Sequence, residues 1–141
     1  MQTFLPYGPD FAATGAVLDR QRLGKQRVET LQILRTLAGI TDGWRRHPAV
    51  RMWGGHERWL ADYGLVICEA WVSRGYRDTC AAHIRHLVDT HPEWPTARPE
   101  WLDRDDLVLS HRSNLVRKDV AHYGSVWPGI PADLPYVWPV P

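Results

Sequence analysis

The chain has 141 residues, a net charge of +1 and eight tryptophans, enough for one domain with a hydrophobic core. No run approaches the roughly 18 apolar residues of a membrane-spanning helix, and the opening MQTFLPYGPD lacks the charged-then-apolar pattern of a signal peptide. Two cysteines, Cys68 and Cys80, lie in apolar helical patterns and suit buried free thiols in a reducing cytoplasm.

Residues 1–9 hold Pro6, Gly8 and Pro9 and are expected to be extended or turned. Asp10 can cap a short helix to about Leu18. The stretch that organises the chain follows, from Asp19 to Gly39. Asp19 is a good N-cap and Gly39 a good left-handed C-terminal cap. Leu23, Leu31, Leu34, Leu37 and Ala38 recur at helical spacing and should face a core. Arg22, Lys25, Glu29 and Gln32 share the other side, three or four residues apart. Between residues 20 and 35 stand five cations and one carboxylate, Glu29. A carboxylate in such surroundings is a candidate centre for chemistry on a polyanion, against the simpler reading of Lys25 and Glu29 as a surface ion pair.

His47-Pro48 reads as a turn whose proline opens a brief helix before Gly54-Gly55. From His56 a helix runs to Gly75. Asp78 caps a further one over Thr79–Asp89, and His83 with His86 reads as a solvated face rather than a metal site. HPEWPTARPEW, residues 91–101, forms the one long irregular connection. Asp103 is expected to cap a last main helix to Lys118, with a short piece around His122-Tyr123. The tail from Pro128 holds five prolines and cannot be helix. Its aromatics suggest that it lies across the body. The expected fold class is mainly α, one domain over residues 1–141, with three main helices, an extended N-terminus and a Pro/Trp-rich tail packed on the body.

Basic residues also cluster at Arg45, Arg46, Arg51 and Arg58, and at Arg112, Arg117 and Lys118. A nearly neutral protein with basic faces can bind nucleic acid, and tryptophans serve cores first and base-stacking surfaces second. No P-loop, dinucleotide fingerprint or nucleophile elbow is present.

LDRQRLGKQRVETLQIL, RRHPAVRMWGGHERWLADYG, ICEAWVSRGYRDT and LSHRSNLVRKDVAHYG together resemble the pyrimidine-dimer DNA glycosylase family, of the phage endonuclease V type, in an actinobacterial branch that opens MQTFLPY and ends DLPYVWP. The resemblance implies a compact helical domain that removes a damaged base and cleaves at the abasic site, without metal or cofactor. It implies an N-terminal amine that attacks the sugar C1′ to form a Schiff base, a helix glutamate that assists, and a nucleotide flipped from the stack. Carried onto this chain, the amine falls on Met1 and the carboxylate on Glu29. Gln2 is too large for ordinary methionine removal, so Met1 is expected to stay. Lys25 is the internal alternative for the amine. Where the family has an arginine directly before its glutamate this chain has Val28, leaving Arg27 or Lys25 to supply the charge.

Expected DNA contacts are Arg22, Arg27, His47, Arg51, His56, Arg112, Asn114, Lys118, His122 and Tyr123. The implied partner is damaged double-stranded DNA; no membrane partner is expected, a monomer is the default reading, and the expected setting is the cytoplasm at the nucleoid. Two other functions fit the same residues: a non-catalytic DNA-binding module of this fold, and an enzyme acting on a free nucleotide.

Overall fold

The computed structural model describes residues 1–140. Among them are seven α-helices and no strand: α1 Phe11–Val17, α2 Arg20–Leu37, α3 Pro48–Arg51, α4 Glu57–Ser73, α5 Cys80–Thr90, α6 Asp105–Lys118 and α7 Val120–Val126, with a 3-10 turn at Glu100–Asp103. The architecture is mainly α and compact, and none of the helices is long and apolar enough to cross a membrane.

Local chemistry sets most boundaries. Asp10 caps α1 by accepting from the Ala13 N–H, and Asp19 caps α2 by accepting from that of Arg22. Gly39 leaves α2 with φ +78°, a conformation that costs glycine little. Pro48 occupies the first turn of α3, where its missing N–H goes unneeded, while His47 Nδ1 accepts from the Ala49 N–H. Asp78 takes up the Cys80 and Ala81 N–H groups at the head of α5.

One start differs from expectation. Asp103 closes the 3-10 turn and pairs with Arg98 at 2.8 Å, and α6 begins two residues later at Asp105. Pro99 initiates that tight turn, so the chain must leave it through extended Arg104 before a new helix can form.

α2 and α4 pack along much of their length, α1 lies on α4, and α5 closes against both α2 and α4. Gly64 permits the approach: a Cβ there would lie 2.7 Å from Thr30 Cγ2 and 2.8 Å from Ile84 Cδ1. Leu23, Leu31 and Leu34 of α2 enter the core with Leu60, Tyr63 and Ile67 of α4. Trp53 and Trp101 meet edge to face at 4.9 Å and seal one end.

The first residues are the unexpected part. Gln2 to Pro6 form a non-helical segment buried inside the helical body. A buried segment outside helix and sheet must find partners elsewhere for its backbone, and side chains from several elements supply them. Gln26 Oε1 accepts from the Phe4 N–H at 2.9 Å, and Gln26 Nε2 donates to the Gln2 carbonyl at 2.8 Å. Tyr63 Oη donates to the Phe4 carbonyl, His111 Nδ1 accepts from the Leu5 N–H, and Arg112 Nε donates to the Pro6 carbonyl.

The tail is held similarly. Ser113 Oγ accepts from the Leu134 N–H, Ser110 Oγ from that of Val137, and Asn114 Nδ2 donates to the Leu134 carbonyl. Tyr136 and Trp138 pack against the core. The tail thus lies across α6.

Candidate active site

Threading the N-terminal segment along α2 brings the start of the chain to the polar side of that helix. A cavity of about 230 Å³ opens there, walled by Met1, Arg22, Lys25, Glu29, Lys118 and Tyr136 among others. Glu29 is its centre, with a side chain only 12% exposed. Its Oε2 accepts from the Gln2 N–H at 3.1 Å and from Gln26 Nε2 at 3.4 Å, while Lys25 Nζ stands 3.6 Å from Oε1. The carboxylate is therefore bonded to the amide that directly follows Met1, within one residue of the N-terminal amine. A carboxylate in hydrogen-bond reach of groups near a nucleophile can accept and return protons.

The cavity is cationic around this one acid. Arg22 is steadied by Asp19 at 3.2 Å. Burial alone would raise the Asp19 carboxyl, but hydrogen bonds from Tyr123 and Arg22 outweigh it and hold it below the usual carboxylate range. Burial, then the positive charges of Arg22, Arg117 and Lys25, hold the Lys118 amine below the usual lysine range, with Glu29 opposing. The Lys118 side-chain amine has no hydrogen bond or ion pair among the described residues. His47 also feels the cavity. Burial and the charged N-terminus lower it, Glu29 raises it, and the net shift is down. Its Nδ1 accepts from Ala49, so the neutral ring carries its proton on Nε2.

A second, shallower cavity of about 600 Å³ is walled by Arg51, His56, Trp101 and Trp138 among others. Tyr136 lines the first cavity and Trp138 the second, with ring centres 5.5 Å apart. His56 Nδ1 lies 3.0 Å from the Ala97 carbonyl.

Five of the expected site residues thus gather in one cavity: Met1, Arg22, Lys25, Glu29 and Lys118. Others are occupied elsewhere. Arg27 turns to the opposite flank of α2, where it pairs with Asp78 at 2.6 Å and lies over the Trp71 ring; Val28 beside it is exposed. Arg112 is held between Tyr7 and Trp127 while bonding Pro6.

Asn114 and Tyr123, two of the expected DNA contacts, are fully buried. Asn114 anchors the tail and accepts from Arg117; Tyr123 donates its hydroxyl to Asp19. Each lies on the inner side of its helix, where a polar side chain must find internal partners. His122 is exposed, with Nε2 2.8 Å from the Val17 carbonyl. His83 and His86 are exposed on α5, and no group of three His, Cys, Asp or Glu side chains suited to a metal occurs among the described residues.

Gln26 and Tyr136 were not singled out by pattern. Gln26 sits between Leu23 and Thr30 on the buried face of α2, so a glutamine at a core position was the available signal. Nothing in the sequence places Tyr136 against residues more than a hundred positions earlier.

The site joins a basic cleft, one part-buried carboxylate and the start of the chain on a helical scaffold. A scan against protein families matches residues 1–84 to pyrimidine dimer DNA glycosylase. That match covers more than half of the 141 residues, so the chain belongs to the pyrimidine dimer DNA glycosylase family, a family of DNA-repair glycosylases. No curated protein and no solved structure matches it.

Proposed function

We propose that this protein is a DNA glycosylase with abasic-site lyase activity on damaged duplex DNA, working through a Schiff base on the Met1 amine with Glu29 as its acid–base partner. The observation that carries this reading is the 3.1 Å hydrogen bond between Glu29 and the Gln2 N–H, made inside a cavity that Met1 lines.

The neutral amine attacks C1′ of the damaged nucleotide, and the C1′–N bond breaks with its electron pair leaving on the base. The new amine loses a proton, the C1′–O4′ bond opens, and O4′ takes up a proton, leaving a protonated imine. Glu29 receives and returns protons in these steps. It then removes a 2′ proton so that the 3′ phosphate departs by elimination. Arg22, Lys25 and Lys118 supply positive charge for the flanking phosphates.

Borohydride reduces the imine to a stable amine and so traps the complex. The parent protein and an N-terminally acetylated form are compared on duplexes carrying an abasic site or a cyclobutane dimer. The reading predicts a covalent adduct with the parent that acetylation abolishes, and the duplex giving it identifies the lesion handled. Tight binding of both duplexes without any adduct would replace this reading with a DNA-binding module.

A further inference from the structure

Seven of the eight tryptophans are buried or half-buried; Trp44, in the loop between α2 and α3, is 58% exposed. A single exposed apolar ring is ordinary, but this one sits on a left-handed backbone, φ +54°, which is unfavourable for a bulky side chain. The turn is fixed by the His47 N–H donating to the Trp44 carbonyl at 2.8 Å. Such strain persists only where the surroundings impose it, and it clusters at ligand clamps. Arg45 and Arg46 follow directly, both exposed and without an ion pair or side-chain hydrogen bond among the described residues.

The ring is also coupled to the cavity. Trp44 meets His47 edge-on at 5.7 Å, His47 meets Trp138 edge-on at 5.7 Å, and Trp138 tilts against Tyr136 at 5.5 Å. Tyr136 lines the cavity that holds Met1 and Glu29. Four rings therefore lead from the reaction centre to one projecting indole flanked by two guanidinium groups.

We propose that Trp44 is a wedge that enters the base stack of duplex DNA beside the reacting nucleotide, with Arg45 and Arg46 on the adjacent phosphates. The proposal rests on the glycosylase reading for its ligand. Enzymes that work on a nucleotide within a duplex commonly take a nucleotide out of the stack, and an inserted apolar side chain can fill the space left behind. An indole offers a flat face on which any base can stack. Pre-setting the ring in a fixed turn removes the need to order it on binding.

The test uses a duplex with 2-aminopurine beside an abasic site, at saturating protein judged by fluorescence anisotropy. The parent should raise the 2-aminopurine signal several-fold, Trp44→Phe should keep most of that rise, and Trp44→Ala should lose most of it while still bound. The ratio of borohydride trapping on duplex to trapping on single-stranded abasic DNA should fall on the order of tenfold in Trp44→Ala, because only the duplex must be opened. An equal 2-aminopurine rise in Trp44→Ala, or no rise with bound parent, overturns the wedge, as does failure of the parent to bind DNA. A normal rise with no trapping on either DNA would instead remove the amine chemistry and leave the wedge standing.

Discussion

Two demands meet at Glu29: it must stay close to the N-terminal amine and still exchange protons. The Gln2 N–H and Gln26 amide satisfy the first by fixing Oε2, while Oε1 faces Lys25 across a longer gap. Glu29→Gln can keep the hydrogen bond from Gln2 through its amide oxygen but cannot carry a proton. It should lower the trapping rate by about 10²–10⁴-fold with an unchanged thermal midpoint, and a fall in both would make Glu29 a structural group.

A second residue, His111, sets the acid stability. It is fully buried, its Nδ1 bonded to Leu5, and burial pushes its pKa down from 6.5 to about 3. Between those values the unfolded chain binds a proton that the folded one refuses, so stability present above about pH 6.5 is lost as pH falls toward 3. The slope from this group approaches about 1.4 kcal/mol per pH unit. Urea unfolding of His111→Gln should show a lower midpoint at pH 7 and a flatter decline to pH 5 than the parent; parallel curves would contradict the assignment.

Among the elements, what could be read in advance was local. Asp19, Gly39, Gly75 and His47-Pro48 mark helix ends because capping depends on neighbours in sequence. Arg22, Lys25 and Glu29 were legible together because three- and four-residue spacing puts them on one side of one helix. The buried N-terminal segment was not, since its partners lie as far away as His111, 106 positions from Leu5. Gln26 does most to hold that segment, serving Phe4 N–H, the Gln2 carbonyl and Tyr63 at once. Gln26→Leu leaves several buried groups unpaired and should cost about 2–4 kcal/mol. Hydrogen exchange at Phe4 should accelerate, and protection equal to the parent would show that the segment is held by other contacts.

Across the whole molecule, the fold brings cations from α2 and the end of α6 to one cavity beside the start of the chain. That arrangement explains how a protein of net charge +1 can present a basic face to DNA. If Arg22 contacts a phosphate, Arg22→Ala should reduce the slope of log affinity against log salt by about 0.9, read by anisotropy titrations at several salt concentrations. An unchanged slope would place Arg22 outside the interface.

The most direct measurement is peptide mapping by mass spectrometry of the borohydride-reduced adduct formed with abasic duplex DNA. Three amines border the cavity: the Met1 α-amine, Lys25 and Lys118. Placement of Glu29 on the Gln2 amide predicts the sugar remnant on the N-terminal peptide, attached to the Met1 nitrogen. A remnant on the peptide containing Lys25 or Lys118 would contradict the account and move the nucleophile onto a helix.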